Sequence, residues 1–262
     1  MVKHRAYSFL GNIAIVNFPR GTLLKDKKKF AESILKEQKS IKTVLEKSGD
    51  FKGRLRKQST KFLAGENNKE VLYKENGCTF RFNVDTTYFS PRLSNERKEI
   101  ASLIKPEEEV LVMFAGVAPF PIVIAKMSSA KKVYSNEINR EAGKYAKLNL
   151  NLNKLKDKVE LVNGDIKRIA KKFLQGAKKF DVIVMPRPQL KDSFLEQAFM
   201  LCKKGTRIYY YDFCKIEDKE KIVEKVKAEA SKFKKKIKIV NVKNAGELAP
   251  YKIRLRVDFI VG

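Results

Sequence analysis

"VLVMFAGVAPFPIVIAK", Val110 to Lys126, joins two apolar runs through a short turn. The first run is continuous rather than alternating, as in a strand covered on both faces. The turn holds one glycine, Gly116, and Pro119 stands just beyond it, where proline opens a helix without losing a hydrogen bond. The stretch therefore reads as a buried strand, a tight turn and a helix. Such turns sit against nucleotide-like ligands, yet the dinucleotide fingerprint G-x-G-x-x-G is absent and no Walker-type G-K-[ST] occurs.

Working outward, strand candidates "EVLVMFAG", "KKVYSNE", "KVELVNGD", "FDVIVMP" and "TRIYYYDF" alternate with helical stretches at roughly 118–127, 139–153, 166–174, 189–203 and 216–234. This alternation predicts an α/β domain with a mostly parallel sheet. The end differs. "KKIKIVNVKNAG" and "YKIRLRVDFIVG" run strand to strand, which predicts an antiparallel pair at one sheet edge, with the charge run "KFKKKIKI" as a solvated helix end. Before residue 86, "GNIAIVNFP" reads as a strand and "KKKFAESILKEQKSIKTVLEK" has helical spacing. "GDFKGRLRKQSTKFLAGENNKEVLYKENGCTFRFNVD" mixes turn residues with β-type runs. The expected division is a small α+β domain over 1–85, binding RNA or substrate, and an α/β domain over 86–262.

The chain has 262 residues and 43% hydrophobic content, enough for a packed core, and a formal net charge of +27. That excess points to a polyanionic partner, because cationic side chains gain affinity by displacing counterions from phosphates. Cys78, Cys202 and Cys214 lie far apart, fitting free thiols in a reducing compartment rather than a disulfide framework or zinc site. One histidine, His4, argues against a His-ligated metal or a Ser-His-Asp triad. No run of signal or transmembrane length opens the chain. The expectation is a soluble, cytoplasmic, metal-free monomer.

In an open α/β sheet the ligand lies beyond the carboxyl ends of the strands. After the first strand come Phe114, Ala115 and Gly116; after the second, Glu137 and Ile138; after the third, Asp165 and Ile166. Glu137 is placed to accept ribose hydroxyls, Asp165 an adenine amine, and Ile166 to pack near the ring. A ribose, an adenine and no phosphate clamp point to S-adenosylmethionine, its methionine end cradled by the opening turn.

"YFSPRLSNERKEI" followed by "VLVMFAGVAPFPIVIAK" resembles the archaeal and eukaryotic type of tRNA guanine-37 N1-methyltransferase, with further matches in "GNIAIVNFP", "LAGENNKEVLYKENGCTF", "NEINREAGKYAKLNLNLN" and "VELVNGD". The resemblance implies a Rossmann-like class I methyltransferase sheet and a tRNA partner held at the anticodon region. It places the general base at Glu96 and the arginine that answers charge on O6 at Arg56, with Arg54 as fallback. Tyr88, Arg92 and Arg97 fall at aromatic and basic positions around the target nucleotide. Guanine N1 carries a proton at neutral pH, so a carboxylate that removes it and a cation beside O6 suit the chemistry. Taken without the resemblance, Glu96 reads as a helix-surface carboxylate paired with Arg92 or Arg97. On this resemblance the chain is expected to do without the extra N-terminal domain with which many members of that family grip the tRNA elbow.

Three positions depart from the family pattern. Val112 replaces an acidic residue, Ala118 replaces the second glycine of the turn, and Pro186 stands where an asparagine helps hold the guanine. Arg187 or Gln189 is expected to supply the missing contacts, or the target base is altered. Two alternatives remain open at this point. One is the related wybutosine-pathway chemistry, either methylating the tricyclic base or transferring an aminocarboxypropyl group to it. The other is a non-catalytic RNA-binding protein with a relic cofactor fold.

Overall fold

The computed structural model describes residues 6–49 and 53–262. His4 lies outside the described residues, as do Asp50, Phe51 and Lys52 within the expected β-rich stretch. The chain divides into two compact units, Met1–Pro91 and Arg92–Gly262. That division falls six residues after the expected 85/86 boundary.

The first unit holds a four-stranded sheet, β1 (Ala6–Leu10), β2 (Ile13–Asn17), β3 (Thr43–Lys47) and β4 (Thr60–Gly65), in that spatial order. Helix α1 (Leu24–Glu37) crosses from β2 to the parallel β3. Its Ala31 and Ile34 pack on Ala14, Val16, Val44 and Leu63. A separate hairpin, β5 (Glu70–Glu75) and β6 (Cys78–Asn83), turns at Asn76-Gly77. Both turn residues have positive φ, 47° and 68°, which asparagine and glycine tolerate best. The helical reading of residues 27–47 is corrected here. Helix α1 stops at Glu37, and "TVLEK" is strand β3, paired on both sides. Ladder bonds and the β-branched Thr43 and Val44 outweigh the apolar period.

The second unit opens with α2 (Ser94–Ser102). There follow β7 (Glu109–Val112), α3 (Pro119–Met127), β8 (Lys132–Glu137), α4 (Arg140–Leu152), β9 (Val159–Asn163), α5 (Ile166–Gln175), β10 (Phe180–Met185), α6 (Leu195–Leu201), β11 (Cys202–Lys215), α7 (Lys219–Lys232), β12 (Ile237–Ala249) and β13 (Lys252–Val261). The seven-stranded sheet runs β12-β13-β11-β10-β7-β8-β9. Strands β7 to β11 are parallel, whereas β13 is antiparallel to β11 and to β12. Val110, Leu111 and Val112 in the middle are fully buried, the continuous apolar run that a doubly covered strand requires. The strand order reverses between β7 and β10, so the crevice opens beyond their carboxyl ends. The parallel sheet with an antiparallel C-terminal pair agrees with the sequence reading.

The helix expected over 189–203 is shorter, Leu195–Leu201, and β11 already begins at Cys202. Residues 186–194 are held as a loop. Arg187 donates to the Pro188 and Leu190 carbonyls, Asp192 accepts the Phe194 N–H, and Phe194 is left-handed at φ 58°. The run "KFKKKIKI" is not a helix end alone; it spans the last residue of α7, a turn and the start of β12.

Candidate active site

The turn after β7 is shaped by three left-handed residues, Phe114 (φ 59°), Gly116 (59°) and Ala118 (67°). Non-glycine residues in that region cost roughly 1–2 kcal/mol each, so surrounding bonds must hold the turn. Met113 N–H donates to Val184 O at 2.9 Å and Ala115 N–H to Asn136 O at 2.8 Å. Gly116 N–H donates to Glu137 Oε2 at 2.7 Å, and Asn139 N–H to Glu137 Oε1 at 2.7 Å. Burial holds the Glu137 carboxyl above its ordinary pKa, with these backbone hydrogen bonds opposing part of the shift. The Ile138 N–H is a third backbone donor to this carboxylate, which leaves about one of its roughly four acceptor positions for a hydroxyl donor.

Buried Asn136 joins two cofactor loops. Its carbonyl takes Ala115 N–H, and its side-chain amide donates to Val162 O at 2.9 Å and Gly164 O at 3.0 Å. Beside it lies a cavity of about 270 Å³ lined by Ile138, Gly164, Asp165, Ile169 and Arg168. Asp165 caps α5 by accepting Lys167 N–H at 3.0 Å. Ile166 does not line the cavity, contrary to the expected ring contact; it is 2% exposed in the core, and Ile169 occupies that wall. Ile138 and Ile169 offer an apolar wall for an adenine ring and Asp165 a carboxylate beyond the third strand, while Arg140, Arg168 and Lys172 make the rest of the lining basic. Of the residues expected to hold S-adenosylmethionine, Ile138 and Asp165 line this cavity, and Glu137 is joined by hydrogen bond to the turn of Phe114, Ala115 and Gly116.

Glu96 lies on α2 with 6% exposure. Its Oε2 accepts from Tyr211 OH at 3.0 Å and Arg256 Nη1 at 2.8 Å, and its Oε1 faces Lys243 Nζ at 3.0 Å. These cations stand in place of the Arg92 pairing considered above. Arg92 is exposed and reaches Glu247 O at 3.4 Å. Arg97 is 1% exposed, 5.8 Å from the centre of the Phe120 ring, so it presents no surface charge to phosphate. Burial alone would lower the Arg256 pKa, but Asp258 and Glu96 raise it above arginine's ordinary value. Burial and the Glu96 charge push the Tyr211 hydroxyl far upward.

Beyond β10, Pro186 is the centre of a tight turn closed by Arg187 N–H to Met185 O at 2.7 Å. Proline's missing N–H costs nothing there. Arg187 is 3% exposed and ion-paired to Asp212 at 3.2 Å, while Asp212 also receives Lys225 at 3.0 Å and Tyr210 OH at 2.6 Å. Arg187 Nη1 and Nη2 thus turn to its own loop and to β11, while its buried Nε has no hydrogen-bond partner among the described residues. Gln189 is exposed.

In the first unit, Arg56 has φ 53° and its guanidinium lies 4.4 Å from the centre of the Tyr88 ring. This is a cation–π pair between two residues singled out from sequence. Arg54 is exposed. Cys78 and Cys202 are buried free thiols, and Cys214 is partly exposed. Among the described residues no group of side chains is set to hold a metal, and no helix is long and apolar enough to cross a membrane.

Sequence reasoning missed Asn136, Tyr211, Lys243, Arg256 and Asp258. Arg256 and Asp258 left a signal. They alternate with Leu255, Val257 and Phe259 on a strand expected in the antiparallel edge pair, and the structure buries that polar row, which then requires partners.

This sheet order, with its antiparallel penultimate strand, turn after β7 and carboxylate after β8, defines a Rossmann-like, S-adenosylmethionine-dependent methyltransferase. Residues 71–240 match the TRM5/TYW2 methyltransferase domain and residues 2–68 the TYW2 N-terminal domain. The chain belongs to the TRM5/TYW2 methyltransferase family. It is 31% identical to tRNA (guanine(37)-N(1))/4-demethylwyosine(37)-methyltransferase Taw22 of Nanoarchaeum equitans, across 97% of this chain and 98% of that one. The crystal structure of Trm5b from Pyrococcus abyssi superimposes with a TM-score of 0.84 at 32% identity, over 98% of this chain and 75% of that one. TYW2 of M. jannaschii in complex with AdoMet gives 0.73 at 25% identity, over 98% and 100%.

Proposed function

We propose that this chain is a tRNA methyltransferase that transfers a methyl group from S-adenosylmethionine to N1 of guanine 37, next to the anticodon, the position named for the Taw22 relative. The observation that carries this reading is the buried Glu96 carboxylate, held by groups from three other strand positions in the same unit as the cofactor turn. S-adenosylmethionine, when bound, supplies an electrophilic methyl group on a good leaving group, so the chain itself must orient the base and move one proton. Glu96 takes the N1 proton, and Arg56 answers negative charge on O6. Tyr88 and Arg92 hold the target nucleotide, and the +27 charge draws the tRNA to the surface. The experiment is nucleoside mass spectrometry of an unmodified tRNA transcript incubated with the protein and labelled cofactor. 1-Methylguanosine is expected; an aminocarboxypropyl adduct, or no transfer, contradicts the reading.

A second reading extends the first to methylation of the tricyclic base at the same position. Two observations favour it. The Taw22 relative carries both activities in its name, and Pro186 leaves the target base without the asparagine of the family pattern while Arg187 is turned inward. Supplying tRNA that bears the tricyclic base separates the two.

A further inference from the structure

Resting on the proposed N1 transfer, we infer that Tyr211 and Arg256 are positioning residues that fix Glu96 Oε2 and leave Oε1 as the oxygen that receives the guanine proton. The two donors are direct cross-strand partners on β11 and β13. Both converge on one oxygen of a carboxylate from α2, at 3.0 and 2.8 Å. Arg256 is itself immobilised. Its Nε and Nη2 grip Asp258 at 2.7 and 2.9 Å, and Nη2 also reaches Glu99 at 2.8 Å. All three guanidinium nitrogens therefore donate, and the side chain is 1% exposed.

Stability alone does not account for this arrangement. A buried ion pair replaced by apolar residues of similar volume is often neutral or stabilising, so retaining one here asks for a reason. Orientation is such a reason, because a misplacement of about 1 Å at a reacting group costs on the order of 10²-fold in rate.

The other oxygen has a different kind of partner. Among the described residues, Oε1 is met by Lys243, whose side chain is 32% exposed and whose ammonium is shared with Glu99 at 2.5 Å. A flexible lysine with a second carboxylate to fall back on can give up Oε1 when a polyanion arrives; the Arg256 fork cannot give up Oε2 without breaking its Asp258 contacts. In the proton step the guanine N1–H bond breaks and an O–H bond forms at Oε1. The N–H electron pair stays on N1 as the nucleophilic lone pair, and Glu96 becomes neutral with Oε2 still held.

The decisive variant is Tyr211→Phe, which keeps the ring packed 6.0 Å from Phe120 and loses only the hydroxyl. At saturating tRNA and cofactor, its single-turnover rate is expected to fall by on the order of 10-fold or more, with both dissociation constants, measured separately, within about twofold. In a Glu96→Gln background the same change should have no further effect, because its route runs through Glu96. Arg256→Lys keeps a cation without the fork and should recover part of the rate lost in Arg256→Met. Should Arg256→Met fail to fold, the Tyr211 cycle decides alone. Wild-type rate in Tyr211→Phe, or losses that multiply in the double variant, overturn the inference and leave the methyl-transfer reading intact. A wild-type protein that forms no 1-methylguanosine removes that reading and takes this inference with it.

Discussion

Glu137 Oε2 accepts the backbone N–H of Gly116 at 2.7 Å, so the carboxylate ending β8 and the turn ending β7 form one unit. Its second oxygen receives Asn139 N–H, tying the same group to the start of α4. A residue read from sequence as a ribose acceptor is therefore also a brace for the neighbouring loop. Replacing it changes both the ligand contact and the shape of the turn.

Glu137→Ala should weaken S-adenosylmethionine binding by roughly 1–3 kcal/mol, the scale of a charge-assisted hydrogen bond. Calorimetry on the folded variant checks this. Unchanged affinity would remove Glu137 from the cofactor site.

The same group carries a pH signature. Burial raises the Glu137 pKa above its ordinary value, so the folded state binds this proton more tightly than the unfolded state does. That contribution to stability is fully present below the unfolded value of about 4.3 and is lost as pH rises through the folded value. Relative to Glu137→Gln, the wild type should therefore lose stability as pH rises above the ordinary carboxylate value of about 4.3. Urea unfolding of both proteins across that range is the measurement, and a wild type that gains stability over Glu137→Gln as pH rises contradicts the assignment.

Asp212→Asn should destabilise the second unit by about 3 kcal/mol, the scale for breaking a buried ion pair from one side. Arg187 and Asp212 side chains are 1% and 7% exposed, so the arginine left behind keeps its charge without water. The loop at 186–194 should loosen together with the loss of stability. Denaturant unfolding and amide exchange in that loop test the two parts separately.

The parts of the fold legible in the sequence were those with short-range signatures. The buried strand at Val110–Val112, the glycine turn and the carboxylates at successive strand ends each lie within one βα unit of the next. The Glu96 partners were not legible, because Tyr211 and Arg256 lie 115 and 160 residues away and meet α2 only once β11 and β13 have paired. Helix α6 was overestimated for a related reason. Apolar residues at 190, 194 and 195 keep a helical rhythm, but the Arg187 and Asp192 side chains compete for the backbone groups a longer helix would use. Strand β3 shows the same override within the first unit.

RNA affinity should fall steeply with salt. Each neutralised phosphate contributes about −0.7 to −0.9 to the slope of log K against log salt, so a contact with only ~5 phosphates loses on the order of 10²-fold between about 50 and 200 mM salt. Filter binding or fluorescence anisotropy with a tRNA transcript measures the slope. A flat profile would mean that the +27 charge is not directed at phosphate.

Glu96 and Pro186 together set the last expectation. Glu96→Gln keeps the side chain's size and its ability to accept from Tyr211, but it has no carboxylate to take a proton. Transfer to a transcript with guanosine at the target should slow by on the order of 10²–10⁴-fold, with cofactor binding retained. A transcript carrying inosine at that site still has the N1 proton and O6 but lacks the exocyclic amine. If Glu96 acts at N1, its replacement should slow transfer to both transcripts by the same factor. Pro186→Asn then asks about recognition rather than chemistry, since it restores an amide at the end of β10. It should lower KM for the guanosine transcript and leave the single-turnover rate at saturation unchanged. Full activity in Glu96→Gln would remove the carboxylate as base, and a Pro186→Asn effect on rate alone would remove the recognition role from that position.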